Sequence, residues 1–207
     1  MTSTSAPPPA PGDDSVVHLD AVSVKVLAHP LRSRLLVALR LGGPSTATAL
    51  AAQLGTNSGA TSYHLRRLAS VGLVQDTGEG EGKRRLWAAA SAYTSWDASQ
   101  FADDEDAETA LTWLSRDYLR HLGDRFERWL DVESQWPTAW RDALGMNDDV
   151  VVLTADQVTA MTAELREVVQ RYRRAGQGNP SARRVAVYTL SYPIDLARPP
   201  RPPQETR

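Results

Sequence analysis

Residues 45–87 read STATALAAQLGTNSGATSYHLRRLASVGLVQDTGEGEGKRRLW, and this stretch decides the fold of the chain around it. Leu50 and Leu54, then Thr61, Leu65 and Leu68, recur at helical spacing, so two short helices can each bury one face against the other. Gly55 falls where the first must turn sharply into the second, and Asn57 or Ser58 can cap the second. Gly72 ends that helix, Leu73 and Val74 open a strand, the glycine-rich residues 78–82 form a tip, and residues 84–89 return. Two helices in a tight turn followed by a basic hairpin is a winged helix-turn-helix.

Working outward toward the N-terminus, residues 1–17 are rich in Pro, Ser and Thr and are expected as a disordered tail. Asp20 can cap a first helix running to about Leu27, although Val22, Val24 and Val26 keep an irregular spacing. Pro30 suits the first turn of the next helix, where its missing N–H costs nothing; His29 shapes that start, and Gly42-Gly43 end the helix. Ser45 or Thr46 starts the third helix. On the other side, residues 93–103 carry weak signals. From Asp104 an acidic start precedes a long amphipathic helix whose apolar positions are Ala107, Leu111, Leu114, Tyr118, Leu122, Phe126 and Trp129. So long a stripe exceeds what one small winged helix buries, which points to a second copy of the helix, a C-terminal unit, or both. Trp136-Pro137 breaks it.

The remainder reads as strand, helix, strand. Residues 150–153 are β-branched. Thr154 and Gln157 form a capping box for a helix with the stripe Val158, Met161, Leu165, Val168 and Tyr172, and residues 184–192 alternate. The expected fold class is therefore mainly α with small β (α+β): an N-terminal winged helix-turn-helix, a long dimerisation helix and a small C-terminal α/β unit. The boundaries drawn are 1–17 tail, 18–97 winged helix, 98–135 linker and long helix, 136–195 strand-helix-strand unit with an effector or dimerisation role as its candidates, and 196–207 tail.

The run LAAQLGTNSGATSYHLRRLASVGLV resembles the helix-turn-helix of ArsR-like bacterial regulators in its Leu-Gly turn, its Ser-x-His-Leu and its Gly-Leu-Val exit. Upstream, LAHPLRSRLLVALRLGGPSTATALA resembles the same family's first helices, and the similarity spans roughly residues 22–89. The resemblance implies a homodimeric transcriptional regulator, commonly a repressor, that reads an inverted-repeat operator in double-stranded DNA. It also implies that Ser58, Ala60, Ser62 and Tyr63 match the family's DNA-contacting positions.

Side-chain chemistry agrees. Small hydroxyls and an alanine methyl in the first turns of the second helix suit base edges, while Tyr63, Arg66 and Arg67 suit phosphates. His64 has two readings, a phosphate contact or a packing histidine. Lys83, Arg84 and Arg85 follow the flexible tip, where they can reach a minor groove or its phosphates, weakened by Glu79 and Glu81. With Thr46 and Asn57 at the helix starts, these residues make up the DNA-facing set. The dimerisation set is Leu111, Leu114, Tyr118, Leu122, Phe126 and Trp129.

A formal net charge of −2 fits a DNA reader only once it is divided along the chain. Residues 1–20 carry three acids and no base (−3), residues 21–98 nine bases against four acids (+5), and residues 99–207 fourteen bases against eighteen acids (−4). Phosphate binding needs a local basic face rather than a basic chain. No apolar run spans a bilayer and no signal core is present, so a cytoplasmic protein without a membrane partner is expected.

Cysteine is absent, which excludes disulfides and thiolate metal sites. No Gly-rich phosphate loop, G-x-S-x-G or zinc-protease His pair occurs, so the chain is not expected to be an enzyme and no cofactor is expected. Asp117, His121 and Asp124 share one face of the long helix; a solvated charged face accounts for them, and a metal-responsive regulator using His and Asp is the alternative. A protein-interaction scaffold reusing the winged helix is a third class. Trp113, Trp129, Trp136, Trp140, Tyr118 and Tyr172 are either core or the lining of a pocket for a small apolar effector.

Overall fold

The computed structural model of the chain describes residues 16–80 and 85–197. The chain divides into two units, Met1–Asn147 and Asp148–Arg207. Of the tails expected at 1–17 and 196–207, residues 1–15 and 198–207 lie outside the described residues, as do Lys83 and Arg84.

The first unit opens with β1 (Val16–His18), a strand inside the stretch expected as tail. Helix α1 (Ala21–Leu27) follows; the Asp20 carboxylate accepts from the Ser23 N–H at 2.7 Å, and this bond holds its pKa below the usual carboxylate value. Val24 and Leu27 are buried while Val22 stays exposed, which accounts for the irregular valine spacing. Helix α2 (Pro30–Gly42) carries Pro30 at its first position and ends on Gly43. Ser45–Thr46 form a short strand, β2, and Thr46 then caps α3 (Ala47–Leu54), so one residue closes a ladder and opens a helix. Gly55, at φ 66° and ψ 41°, is left-handed, which is where a side chain would strain the backbone. Asn57 caps α4 (Ser58–Ala69).

The wing is β3 (Val74–Asp76) and β4 (Leu86–Ala89). Strand β4 is central, antiparallel to β3 on one side and to β2 on the other, so the expected two-stranded hairpin is a three-stranded sheet. Strand β5 (Tyr93–Ser95) pairs in parallel with β1, Val17 opposite Thr94. Helix α5 (Glu105–Leu130) starts where the acidic run predicts, capped by Asp104. A 3-10 turn at Glu133–Gln135 and the short α6 (Thr138–Ala143) complete the unit.

One core organises these elements. Leu19, Leu27, Leu35, Leu36, Leu39, Leu50, Leu65, Leu68, Leu73, Phe101 and Leu114 are all fully or almost fully buried in it. Burial on that scale, at roughly 25 cal/mol per Å² of apolar surface, supplies the main drive for folding. Two buried polar groups tie α2 to α5: Ser33 Oγ donates to the Asp117 carboxylate at 2.7 Å. Arg40, half-buried, donates to the Ser91 carbonyl at 3.0 Å and to Ser91 Oγ at 3.3 Å, and so fixes α2 to the loop before β5.

The second unit contains α7 (Ala155–Tyr172), whose Thr154/Gln157 capping box forms as predicted. The two flanking strands expected at 150–153 and 184–192 are not formed. β-branched and alternating residues favour extended backbone, but a strand exists only where a neighbour completes its ladder. No residue of α7 is buried, so its apolar stripe is not the core face that the periodicity suggested.

Candidate nucleic-acid interface

The geometry of α3 and α4 follows from three local devices. Thr46 Oγ1 accepts from the Ala49 N–H at 3.2 Å and Asn57 Oδ1 from the Ala60 N–H at 2.8 Å, so each cap satisfies a free donor of its helix. Thr61 is fully buried, and its hydroxyl donates to the Asn57 carbonyl at 2.9 Å. Arg34 donates to the Leu54 carbonyl at 3.1 Å, covering the C-terminal end of α3. With Leu65 and Leu68 in the core, the opposite face of α4 is left to solvent.

That exposed face carries Ser58, Gly59, Tyr63, Arg66 and Arg67, and no acidic residue lies within α4. Among the described residues neither Arg66 nor Arg67 has an ion-pair partner. Ala60, Ser62 and His64 are half-buried on its flanks. Thr46 and Asn57 spend their side-chain oxygens on capping, which places them at the helix starts as structural residues first. On the wing, Arg85 lies 3.5 Å from Asp76, so part of its charge is answered within the sheet. Lys83 and Arg84, expected beside it, are not among the described residues.

His64 has more neighbours than its sequence position suggests. Its ring lies against His29 (centroids 4.5 Å apart, planes tilted by 36°) and edge-on to Tyr63 at 5.1 Å. The Arg32 guanidinium donates to His64 Nδ1 at 3.5 Å and also to the Val26 carbonyl. Burial lowers the pKa of His64, helped by His29 and Arg32, and burial followed by Arg32 lowers that of His29. Arg32 was not among the residues expected to face DNA. Its signal lies in the His-Pro-Leu-Arg run, where i+3 spacing from His29 puts both on one side of the start of α2.

The expected dimerisation residues fall in two groups. Leu114 is fully buried in the unit's own core, with Leu111 and Tyr118 packed against it, whereas Leu122, Phe126 and Trp129 are half-buried further along α5. The aromatic residues likewise separate. Trp129, Trp136 and Trp140 stack edge to face at 5.3 and 5.8 Å, Trp113 packs against the core, and Tyr172 is exposed in the other unit. A shallow depression beside Trp113 is lined by Lys25, Ala28, Pro30, Asp106, Thr109 and Ala110.

Of the acidic face on α5, Asp117 is buried and already engaged by Ser33 and, at 3.2 Å, by Arg120; His121 Nδ1 meets the Asp117 carbonyl at 2.7 Å. Among the described residues no group of three or more His, Cys, Asp or Glu side chains is placed to hold a metal ion. No described helix is long and apolar enough to cross a membrane.

Residues 27–76 match the family described as helix-turn-helix domain. A solved structure is also similar: the homodimeric winged helix-turn-helix DNA-binding domain (fragment 1–100) of Mb0332 from Mycobacterium bovis, a possible ArsR-family transcriptional regulator. The similarity covers 49% of this chain and 82% of that one, at 25% sequence identity and a TM-score of 0.32. No curated protein matches the chain. Helices α2 to α4 and strand β3 lie within the stretch that matches a helix-turn-helix domain.

Proposed function

We propose that the chain is a transcriptional regulator that binds double-stranded DNA as a homodimer, each protomer laying α4 in a major groove of an inverted-repeat operator. The observation that carries this reading is the exposed face of α4. Tyr63, Arg66 and Arg67 offer phosphate contacts and Ser58 and Gly59 a close approach to base edges, with no acidic side chain in the helix. Ser62 and Ala60 read from the edge of that face, and Arg85 extends it through the wing. Pairing uses the distal half of α5, where Leu119 and Leu130 are exposed and Leu122, Phe126 and Trp129 half-buried. Repression by occluding a promoter is the mode proposed, with any small apolar effector acting by changing the spacing of the two reading heads.

The test is titration of the purified chain against the duplex upstream of its own gene and a random duplex, at two salt concentrations. Preferential, salt-sensitive binding at two protomers per site is expected. Arg66→Ala with Arg67→Ala should weaken binding to both duplexes and flatten the salt dependence by about 2 to 4 in log–log slope, one or two phosphate contacts being lost from each protomer. Absence of binding at low salt would overturn the reading in favour of an interaction scaffold.

A further inference from the structure

The cluster where α2 meets α4 has a chemistry that packing alone does not use. Arg32 is half-buried, and among the described residues no carboxylate pairs with it. Val26 and His64 take two of its five N–H donors. Because a guanidinium can only donate, His64 Nδ1 must be the acceptor, which leaves the neutral ring with its proton on Nε2. His29 is committed in the same way. Its Nδ1 accepts from the Leu31 N–H at 3.1 Å as the cap of α2, so its proton also sits on Nε2. The unspent capacity of the cluster is therefore all donor: two imidazole N–H groups and the rest of the guanidinium, with Arg67 near enough to repel Arg32. A half-desolvated cation with donors around it and no anion is costly unless an anion arrives from outside.

We propose that His29, Arg32 and His64 form a second anchor for the nucleic-acid backbone, a seat for one phosphodiester at the α2–α4 junction. The inference rests on the DNA-binding reading and adds residues of α2 to a surface otherwise built from α4 and the wing. One phosphate clamped beside the middle of α4 fixes how far that helix enters the groove, so the anchor orients without reading sequence. The charged and titratable groups facing the two rings are Arg32 from α2 and Tyr63 from α4, while Arg67 of α4 acts on Arg32.

The experiment compares wild type, Arg32→Gln and Arg32→Lys on the preferred and the random duplex over a salt series. For Arg32→Gln, at least about a tenfold weaker affinity on both duplexes is expected, with the log–log salt slope reduced by about 1.8 for the bound dimer, the signature of one lost phosphate per protomer. Arg32→Lys should keep the slope. In the wild-type chain, side-chain NMR of His29 and His64 is followed against pH with and without duplex, and with inorganic phosphate at matched ionic strength. Both rings should titrate at higher pH when duplex is bound, because a phosphate stabilises their protonated forms; this arm stands even where Arg32→Gln fails to fold. Salt-dependent wild-type binding with an unchanged slope in the variant and unmoved histidines overturns the anchor while leaving the regulator. Histidines that respond to inorganic phosphate but not to duplex mark a free-anion site and also overturn it. Failure of wild type to bind any duplex removes both readings together.

Discussion

The Ser33–Asp117 bond makes a quantitative prediction about how α5 is held to the reading head. Asp117 is 4% exposed and Ser33 2%, and their bond of 2.7 Å crosses from α5 to α2 inside an otherwise apolar core. Ser33→Ala leaves the carboxylate buried without its nearest donor. A charge-assisted hydrogen bond contributes about 1.5–3 kcal/mol, so that variant should lose about this much stability. Asp117→Ala should lose less, about 1–2 kcal/mol. It removes the buried charge together with its bond, and the freed Ser33 hydroxyl can turn fully to the Pro30 carbonyl at 3.3 Å. Its bridge to Arg120 adds little, since that guanidinium is mostly exposed.

Once Asp117 is alanine, removing the Ser33 hydroxyl as well should change stability only slightly, so the two losses do not add. Urea unfolding of the wild type, both single variants and the double variant measures this directly. A coupling energy close to the whole Ser33→Ala loss, about 1.5–3 kcal/mol, is expected, and for a chain of this size each kcal/mol moves the melting temperature by roughly 2–4 °C. Losses that add to within about 0.3–0.5 kcal/mol would refute the bond as an energetic link. The pair would then be a bystander in a joint held by apolar packing around Ala107 and Leu114.

Three further outcomes can be checked. Gly55→Ala puts a Cβ in open space but forces a left-handed backbone, for a loss of about 1–2 kcal/mol; Gly123→Ala, helical and equally uncrowded, should gain about 0.5–1 kcal/mol, both read by thermal unfolding. Because His29 and His64 have folded pKa values below the ordinary 6.5, the unfolded chain binds more protons just below that pH. Stability should therefore fall as pH drops from 6.5 toward the folded values, and His29→Asn with His64→Gln should flatten urea midpoints measured from pH 7.5 to 5.5. Leu122→Asp with Phe126→Asp should yield a folded monomer by sedimentation that binds half-sites weakly, whereas an unchanged dimer would place the interface elsewhere.

The helices of the first unit were legible because each is specified locally. Asp20, Thr46, Asn57 and Asp104 all cap the helices they were expected to start or stand beside, and Pro30, Gly55 and Gly72 mark turns through backbone restrictions that no tertiary context has to supply. The wing strands β3 and β4 were legible too, but the strands outside the wing were not. β1, β2 and β5 are two or three residues long, too short for alternation to register, and Val16–His18 is a strand only because Tyr93–Ser95, far along the chain, completes its ladder. The reverse error at 150–153 and 184–192 has the same origin, since extended propensity without a partner is not a strand.

Amphipathic stripes carry a related ambiguity. On α5 one unbroken period runs from Ala107 to Trp129, yet its first half closes the protomer's own core through Ala107 and Leu114 while its second half stays partly open. Period reports that a face can be buried and is blind to what buries it. The site divides along the same line. Ser58, Tyr63, Arg66 and Arg67 could be named from a helix wheel, but Arg32 stood out only when folding set it against His64, 32 residues away, with no acid to answer its charge. What marks a binding residue here is a desolvated charge without a partner, and a linear sequence shows the charge without showing the missing partner.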